Sequence, residues 1–85
     1  MAITRKEQFF ELLGEHDKIN VAFYVGQDLP AMLKMNVVSV EDYDDEIVVR
    51  GDGGEFIILP GDPVFNEEDE EYIFGKEIFQ IGIKF

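Results

Sequence analysis

The sequence predicts a mainly β domain with one N-terminal α-helix, folded as a small antiparallel barrel or a strongly bent sheet of about five or six strands. Three observations predict this class. Apolar residues recur at helical spacing near the N-terminus, alternate with polar residues through most of the rest, and are interrupted by acidic or glycine-rich turns. The length of 85 residues is that of a single domain, 1–85.

The helix is predicted over about residues 4–14. Thr4 and Glu7 have the spacing of a capping box, in which the threonine hydroxyl accepts a hydrogen bond from the Glu7 amide. An apolar stripe follows at helical spacing: Phe9, Phe10, Leu12 and Leu13. Gly14 is a suitable C-terminal stop. A helix of about ten residues is unstable alone, so we expect this stripe to pack on the sheet.

Six strands are predicted after the helix. Their alternating or β-branched apolar residues are typical of strands with one or both faces buried. Asp44-Asp45-Glu46 and Gly51-Asp52-Gly53-Gly54 are predicted turns, and Gly75-Lys76 is the predicted turn of a last hairpin. The predicted strands cover about residues 19–25, 32–43, 46–50, 55–59, 72–75 and 77–85.

Negative charge is concentrated in one stretch. The chain has 19 acidic and 7 basic residues, and a net charge of −12. Between Glu41 and Glu71 lie 13 of the acids and one base, Arg50, while the charges of the other 54 residues cancel. Such a field attracts basic partners and repels nucleic acid and anionic membranes. We therefore expect a basic protein partner, no membrane association and no direct nucleic-acid binding.

The residue types needed for catalysis or metal binding are scarce. The chain has no cysteine and a single histidine, His16, so neither a nucleophilic triad nor a zinc site can be assembled from the usual ligands. The acids of residues 42–52 do not have the spacing of a calcium-binding loop. The glycine-rich turn at residues 51–54 lacks the lysine and helix of a phosphate loop. We expect a protein that is not an enzyme and has no metal or cofactor.

The cellular location is predicted from the lengths of the apolar segments. No stretch approaches the roughly 20 apolar residues that cross a bilayer, and residues 1–13 do not have the apolar run of a signal peptide. We expect a cytoplasmic protein.

Part of the chain resembles the Sm-like family, in particular its bacterial RNA chaperone Hfq. The segments Phe9-Phe10-Glu11-Leu12-Leu13 and Ile19–Val25 are similar to the family's helix and first strand, and Val40-Glu41-Asp42-Tyr43-Asp44 is similar to its short apolar–aromatic–aspartate motif. Ile47-Val48-Val49 and Glu55-Phe56-Ile57-Ile58 fall where its third and fourth strands lie. The resemblance implies an SH3-like or Sm-like barrel over about residues 5–65.

The residues with which that family contacts RNA are not matched. The resemblance places Glu46 where the family has an aromatic residue, and Ile58-Leu59-Pro60 where it has a Tyr-Lys-His segment. These positions offer no base to a phosphate group.

Two functions are predicted from these observations. The first is an acidic, non-enzymatic binding protein that engages a basic surface of another macromolecule. Small phage-encoded inhibitors that act as nucleic-acid mimics have a similar size and acidity. The predicted partner-binding residues are Asp42, Tyr43, Asp44, Asp45, Glu46, Glu67, Glu68, Asp69, Glu70, Glu71 and Tyr72. The tyrosines are included because aromatic residues are enriched at interface hot spots, although packing within a strand explains them equally well.

The alternative is an Sm-like oligomeric subunit or an RNA-associated structural protein. The apolar C-terminal segment Ile78–Ile83 would be an exposed sheet edge unless it is paired. Two positions are open for it: within the barrel, or added to the sheet of a second copy, which would form a homodimer. A third interpretation is that the acids only keep a small domain in solution.

Overall fold

The computed structural model of the chain describes residues 4–26, 29–76 and 78–85. Within these residues the protein is mainly β with one N-terminal helix, which confirms the predicted class. The elements in chain order are α1 (Arg5–Glu15), β1 (Lys18–Val25), β2 (Ala31–Tyr43), β3 (Glu46–Gly51), β4 (Phe56–Pro60), β5 (Val64–Asn66), β6 (Glu71–Lys76) and β7 (Phe79–Lys84).

The described strands form one antiparallel sheet in the order β4-β3-β2-β1-β7-β6-β5. Strand β2 bends the sheet, because its first half pairs with β1 and its second half with β3. A register shift between Val37 and Ser39 marks the bend, as is usual for a β-bulge. Strands β4 and β6 approach each other, but no ladder closes the sheet within the described residues. The strongly bent sheet is therefore the form that this chain adopts.

The core lies between the bent sheet and α1. Phe9 is fully buried, and its ring centroid lies 4.9 Å from that of Phe74, 5.5 Å from Tyr72 and 5.7 Å from Phe85. Leu13 is also buried, while Phe10 is half-buried against the same core. The sheet contributes Ile19, Val21, Met35, Ile47, Val49, Ile57, Leu59, Ile81 and Ile83. The apolar stripe of the helix thus packs on the sheet as predicted.

The helix begins and ends close to the predicted residues. The Thr4 hydroxyl accepts a hydrogen bond from the Glu7 amide at 3.1 Å, as the capping-box spacing predicts. At the other end the His16 amide donates to the Leu12 carbonyl at 3.0 Å, so Gly14 lies inside the last turn rather than ending the helix. No helix in the described parts of the chain is both long and apolar enough to cross a bilayer.

Two details of the sheet differ from the prediction. The short strand β5 was not predicted, because Pro60 and Pro63 flank a charged segment that has no alternating pattern. The last hairpin turns after Lys76 rather than at Gly75-Lys76, since β6 continues to Lys76 and pairs with β7 up to Phe79. Glu77, where the last predicted strand begins, lies outside the described residues.

Of the two positions expected for the C-terminal strand, the structure has the one inside the sheet. Strand β7 pairs with β1 on one side and with β6 on the other, so its backbone hydrogen-bonding groups are used on both sides. The two ends of the sheet are β4 and β5. The apolar character of β7 reflects burial, as Ile81 and Ile83 belong to the core.

Candidate partner-binding surface

The turn between β2 and β3 presents acidic residues beside the N-terminal half of α1. Asp44 and Asp45 form this two-residue turn and are exposed. Asp42 precedes the turn on the helix-facing side of β2, where its carboxylate lies 2.9 Å from the Lys6 ammonium. Lys6 also donates to the Asp44 carbonyl at 3.1 Å. Lys6 therefore joins the helix to this turn.

Another acidic residue, Asp62, lies near the same turn. The Gly61 amide donates to the Asp45 carbonyl at 2.8 Å, which places the β4–β5 loop and its exposed Asp62 against the turn. The hydrogen bond that Lys6 donates to the Asp42 carboxylate raises the pKa of Lys6 above its ordinary value, and the negative charges of Asp62 and Asp44 raise it further. One ammonium thus lies within the field of several carboxylates.

The turn between β5 and β6 carries four consecutive exposed acids, Glu67–Glu70. Asn66 organises this turn: its side-chain oxygen accepts from the Glu68 amide at 3.1 Å, and its side-chain nitrogen donates to Asp69 at 3.3 Å. Glu70 has a φ of 52°, in the left-handed region that favours glycine. Glu67 and Glu70 lie beside Leu12 and His16, at the C-terminal end of α1.

The exposed face of α1 connects the two acidic turns. Glu7, Glu11 and Glu15 are all exposed and lie four residues apart, so they form a row along the helix with about 6 Å of axial rise between neighbours. Lys6 lies on one flank of this row and Leu12 on the other. These glutamates were not among the predicted partner-binding residues, because basic residues elsewhere in the chain balance their charge. Their i, i+4 spacing on a predicted helix was the signal that could have identified them.

These residues together form what we call the acidic surface. It extends across α1, about 10 Å wide as helices are, from the β2–β3 turn to the β5–β6 turn. Its members are Glu7, Glu11, Glu15, Asp42, Asp44, Asp45, Asp62, Glu67, Glu68, Asp69 and Glu70. Within the described residues Asp42 is the only member that forms an ion pair with a base.

Two predicted partner-binding residues are instead buried. Glu71 is 2% and Tyr72 is 5% exposed. Tyr72 points into the core and packs against Phe9 and Phe65. The Glu71 side chain lies on the opposite face of β6, where its carboxylate accepts a hydrogen bond from Tyr24 at 2.6 Å. The acidic run therefore ends at Glu70, because β6 begins at the next residue and is covered on both faces.

Tyr43 and Glu46 lie on a different face from the acidic surface. They pair across β2 and β3 on the outer side of the sheet, away from the helix. The Tyr43 hydroxyl donates to Glu41, which also accepts from the Arg50 Nε at 2.7 Å. The hydrogen bond from Tyr43, and after it that from Arg50, lowers the pKa of Glu41 below its ordinary value. Tyr43 is exposed but is not next to the helix.

Three lysines lie on the other side of the molecule. Asn20 on β1 pairs with Lys34 on β2 and with Lys84 on β7, and Lys18 lies two residues before Asn20 on the same face. This face is opposite to the one that α1 covers, since the neighbouring Ile19 belongs to the core. The described residues therefore have a predominantly acidic helix side, where Arg5 and Lys6 are the bases of α1, and a lysine-bearing outer face.

The acids are spread along turns and a helix rather than gathered around one point. No three acidic or histidine side chains of the described segments are placed to hold a metal ion together. Comparison of the chain with protein-family models, with curated proteins and with solved structures finds no match.

Proposed function

We propose that the chain is a small cytoplasmic, non-enzymatic binding protein whose acidic surface covers a basic surface of another protein, as an inhibitor that mimics nucleic acid does. The observation that carries the proposal is the row Glu7–Glu11–Glu15 between two acidic turns. This row adds three negative charges, whose spacing is fixed by the helix, to the carboxylates of the two turns beside α1.

The placement of these glutamates opposes helix stability. Like charges four residues apart destabilise a helix by about 0.2–0.5 kcal/mol per pair. Glu15 lies in the last turn, where the helix dipole disfavours a negative charge and where α1 has no basic residue. The Glu7 carboxylate lies in the first turn, where the helix dipole favours a negative charge, but the Glu11 and Glu15 side chains form no hydrogen bond or ion pair with the described residues. A role in binding a basic partner accounts for their presence.

The test uses a hexa-arginine peptide as the basic probe. Because binding releases counterions, we expect the affinity measured by calorimetry to fall steeply as the salt concentration rises. The protein should also displace a labelled DNA duplex from the peptide, since both compete for the same guanidinium groups. Absence of binding at low salt, or an affinity insensitive to salt, would contradict the proposal.

A matched pair of variants separates the acidic surface from net charge alone. Glu11→Gln with Glu15→Gln removes two charges from the acidic surface, whereas Glu46→Gln with Asp52→Asn removes two from elsewhere. Asp52 lies at the far end of β3 beside Asn36, at 3.1 Å. We expect the first pair to weaken peptide binding clearly and the second to have little effect. Equal weakening by both pairs would mean that the peptide responds only to total charge.

A second candidate function, an Sm-like oligomeric subunit, is favoured by the edge strand β4. This strand lies at one end of the sheet, contains no charged residue, and leaves Phe56 and Ile58 at 56% and 45% exposure. Edges of this kind pair with other strands unless they are protected. Sedimentation decides between the candidates: an assembly that Ile58→Lys disrupts favours the subunit, whereas a species of 9.8 kDa excludes it.

A further inference from the structure

A groove of about 500 Å³ lies between α1 and the β5–β6 turn. Its apolar wall is formed by Leu12, Phe65, Tyr72 and Phe85, and its acidic rim by Glu67 and Glu70. His16 also lines the groove, with its ring centroid 5.4 Å from that of Phe85. The groove belongs to the side of the molecule that carries the acidic surface, and its rim consists of two members of that surface. It differs from the rest of the surface in having aromatic rings beneath the carboxylates.

The aromatic wall is held in place by the core. The ring centroids of Phe65 and Tyr72 are 4.9 Å apart, and those of Tyr72 and Phe85 are 6.1 Å apart in an edge-to-face arrangement. The fully buried Phe9 contacts both Tyr72 and Phe85. Phe65 and Phe85 remain partly exposed. Because packing against the core already restricts these rings, binding a ligand costs them little side-chain conformational entropy.

The chain itself places a guanidinium on one of these rings. The Arg5 guanidinium carbon lies 5.3 Å from the centroid of Phe65, within the range of a cation–π contact. Arg5 also donates to Gln8 at 2.9 Å, so its position is fixed by its own helix. The Phe65 ring therefore already carries a planar cation from the chain itself, and Phe85 is the other partly exposed ring of the wall.

The carboxylates of the rim complete the features that a cation needs. Glu67 and Glu70 flank the rings, and the Asn66 hydrogen bonds hold the turn that carries them. A guanidinium stacks on aromatic faces and is hydrated more weakly than an ammonium, so it loses less when it leaves water for such a groove. An acidic ligand would be repelled, and an uncharged apolar one would leave the two carboxylates facing it without a partner.

The geometry points to this groove as the site that receives a single arginine side chain of the basic partner, with its guanidinium against the aromatic wall and bonded to Glu67 and Glu70. The inference rests on the proposed function, because it identifies the part of the acidic surface that gives specificity rather than long-range attraction. The remaining carboxylates attract the partner, and the groove selects arginine over lysine.

Nuclear magnetic resonance tests the site with N-acetyl-arginine amide as the probe and N-acetyl-lysine amide as its comparison. We expect the arginine compound to shift the ring signals of Phe65, Tyr72 and Phe85, and the lysine compound to shift them less at equal concentration. Equal shifts with the two compounds would overturn the assignment to arginine. Shifts confined to other residues would overturn the site itself.

Calorimetry with hexa-arginine and hexa-lysine peptides tests the same point on the variant proteins. Glu67→Gln with Glu70→Gln should reduce the preference for arginine, whereas the matched pair Asp44→Asn with Asp45→Asn should weaken both peptides alike. Phe85→Leu, which keeps the groove apolar, should reduce the affinity for hexa-arginine by about two- to thirtyfold, the range of one cation–π contact.

The two proposals fail in different ways. If neither peptide binds in a salt-dependent manner, the proposed function is wrong. A second outcome separates the proposals: both peptides bind equally well with steep salt dependence, and the groove variants behave like the Asp44 and Asp45 pair. This outcome would support the proposed function and contradict the arginine site. Circular dichroism of each variant confirms that the comparison is made on folded protein.

Discussion

The Tyr24 hydroxyl donates a hydrogen bond of 2.6 Å to the carboxylate of Glu71, over the backbone of Gly82. Tyr24 lies on β1 and Glu71 on β6, with β7 between them. The bond therefore connects strands that are not neighbours, on the face of the sheet opposite to α1. It allows one member of an acidic run to be buried, because the phenol replaces the water that the carboxylate gives up.

Tyr24→Phe should destabilise the protein. The substitution keeps the ring but leaves the buried Glu71 carboxylate without this donor, and an unsatisfied buried group costs about 1–3 kcal/mol. We expect a decrease of that size in the free energy of unfolding measured with urea, with little change in the slope of the transition.

Tyr43→Phe is the matched control, because Tyr43 donates to Glu41 on an exposed part of the sheet. The decrease in the free energy of unfolding should be much smaller for Tyr43→Phe, because water can donate to the Glu41 carboxylate in place of the phenol. In the Tyr24→Phe background, Glu71→Gln should recover part of the lost stability by removing the buried charge. A loss in Tyr24→Phe no larger than in Tyr43→Phe would contradict the role of the buried bond.

The stability of the protein should fall at alkaline pH through Tyr24. Burial, and after it the hydrogen bond to Glu71, raises the pKa of Tyr24 from 10.0 to about 12. An unfolded chain releases this proton near pH 10.0, whereas the folded chain keeps it until about pH 12. Between these values the folded state binds more protons, so the free energy of unfolding must decrease as the pH rises.

Urea unfolding at several pH values above 10.0 measures this slope. Tyr24→Phe should have a shallower slope than the natural chain over the same range. Ultraviolet absorbance of the phenolate provides a second measurement, in which Tyr24→Phe should remove one late-titrating tyrosine of the folded protein. Identical slopes for the two proteins would show that Tyr24 has an ordinary pKa in the folded state.

Phe9→Ala should be among the most destabilising substitutions. Phe9 is fully buried and contacts three other rings, so its removal leaves a cavity between α1 and the sheet. Substitutions of this kind cost about 3–5 kcal/mol, a large part of the stability of a small domain. Phe10→Ala, on the half-buried flank of the same helix, should cost distinctly less in the same urea measurement. Equal losses would mean that Phe9 does not anchor the helix.

Most of the fold could be predicted from the sequence because local patterns determine it. The helix and six of the strands follow from apolar periodicity and turn residues, which act over a few neighbouring positions. Strand β5 could not be predicted, since three residues between a proline-rich segment and an acidic turn become a strand only by pairing with β6. The interior position of β7 likewise depends on pairing with β1, more than 50 residues away in sequence.

The candidate surface was predicted less completely than the fold. The acids of the two turns could be identified from charge alone, whereas the row Glu7–Glu11–Glu15 becomes part of the surface only because α1 lies between those turns. Glu71 was assigned to the surface because it continues a run of four acids. Its burial depends on Tyr24 and Gly82, which lie on other strands. Proximity in sequence was misleading where the chain enters a strand.

Gly82→Ala should destabilise the protein, because the buried pair of Tyr24 and Glu71 occupies the space over this glycine. A Cβ at Gly82 would collide with the Glu71 carboxylate and lie 2.9 Å from the ring carbon Cε2 of Tyr24. The carboxylate is buried and tied to the phenol, so it cannot move without breaking the hydrogen bond. Overpacking of this kind costs about 1–3 kcal/mol, which urea unfolding would detect.

Gly14→Ala makes the same chemical change where there is room for it, and should have the opposite effect. Gly14 lies within α1, and a Cβ there would meet nothing within 4 Å. Alanine has less freedom than glycine in the unfolded chain and favours the helix, so we expect a gain of about 0.5–1 kcal/mol in the free energy of unfolding. If Gly82→Ala were tolerated as well as Gly14→Ala, the space over Gly82 would not be filled by the Tyr24–Glu71 pair, and the burial of Glu71 would need another explanation.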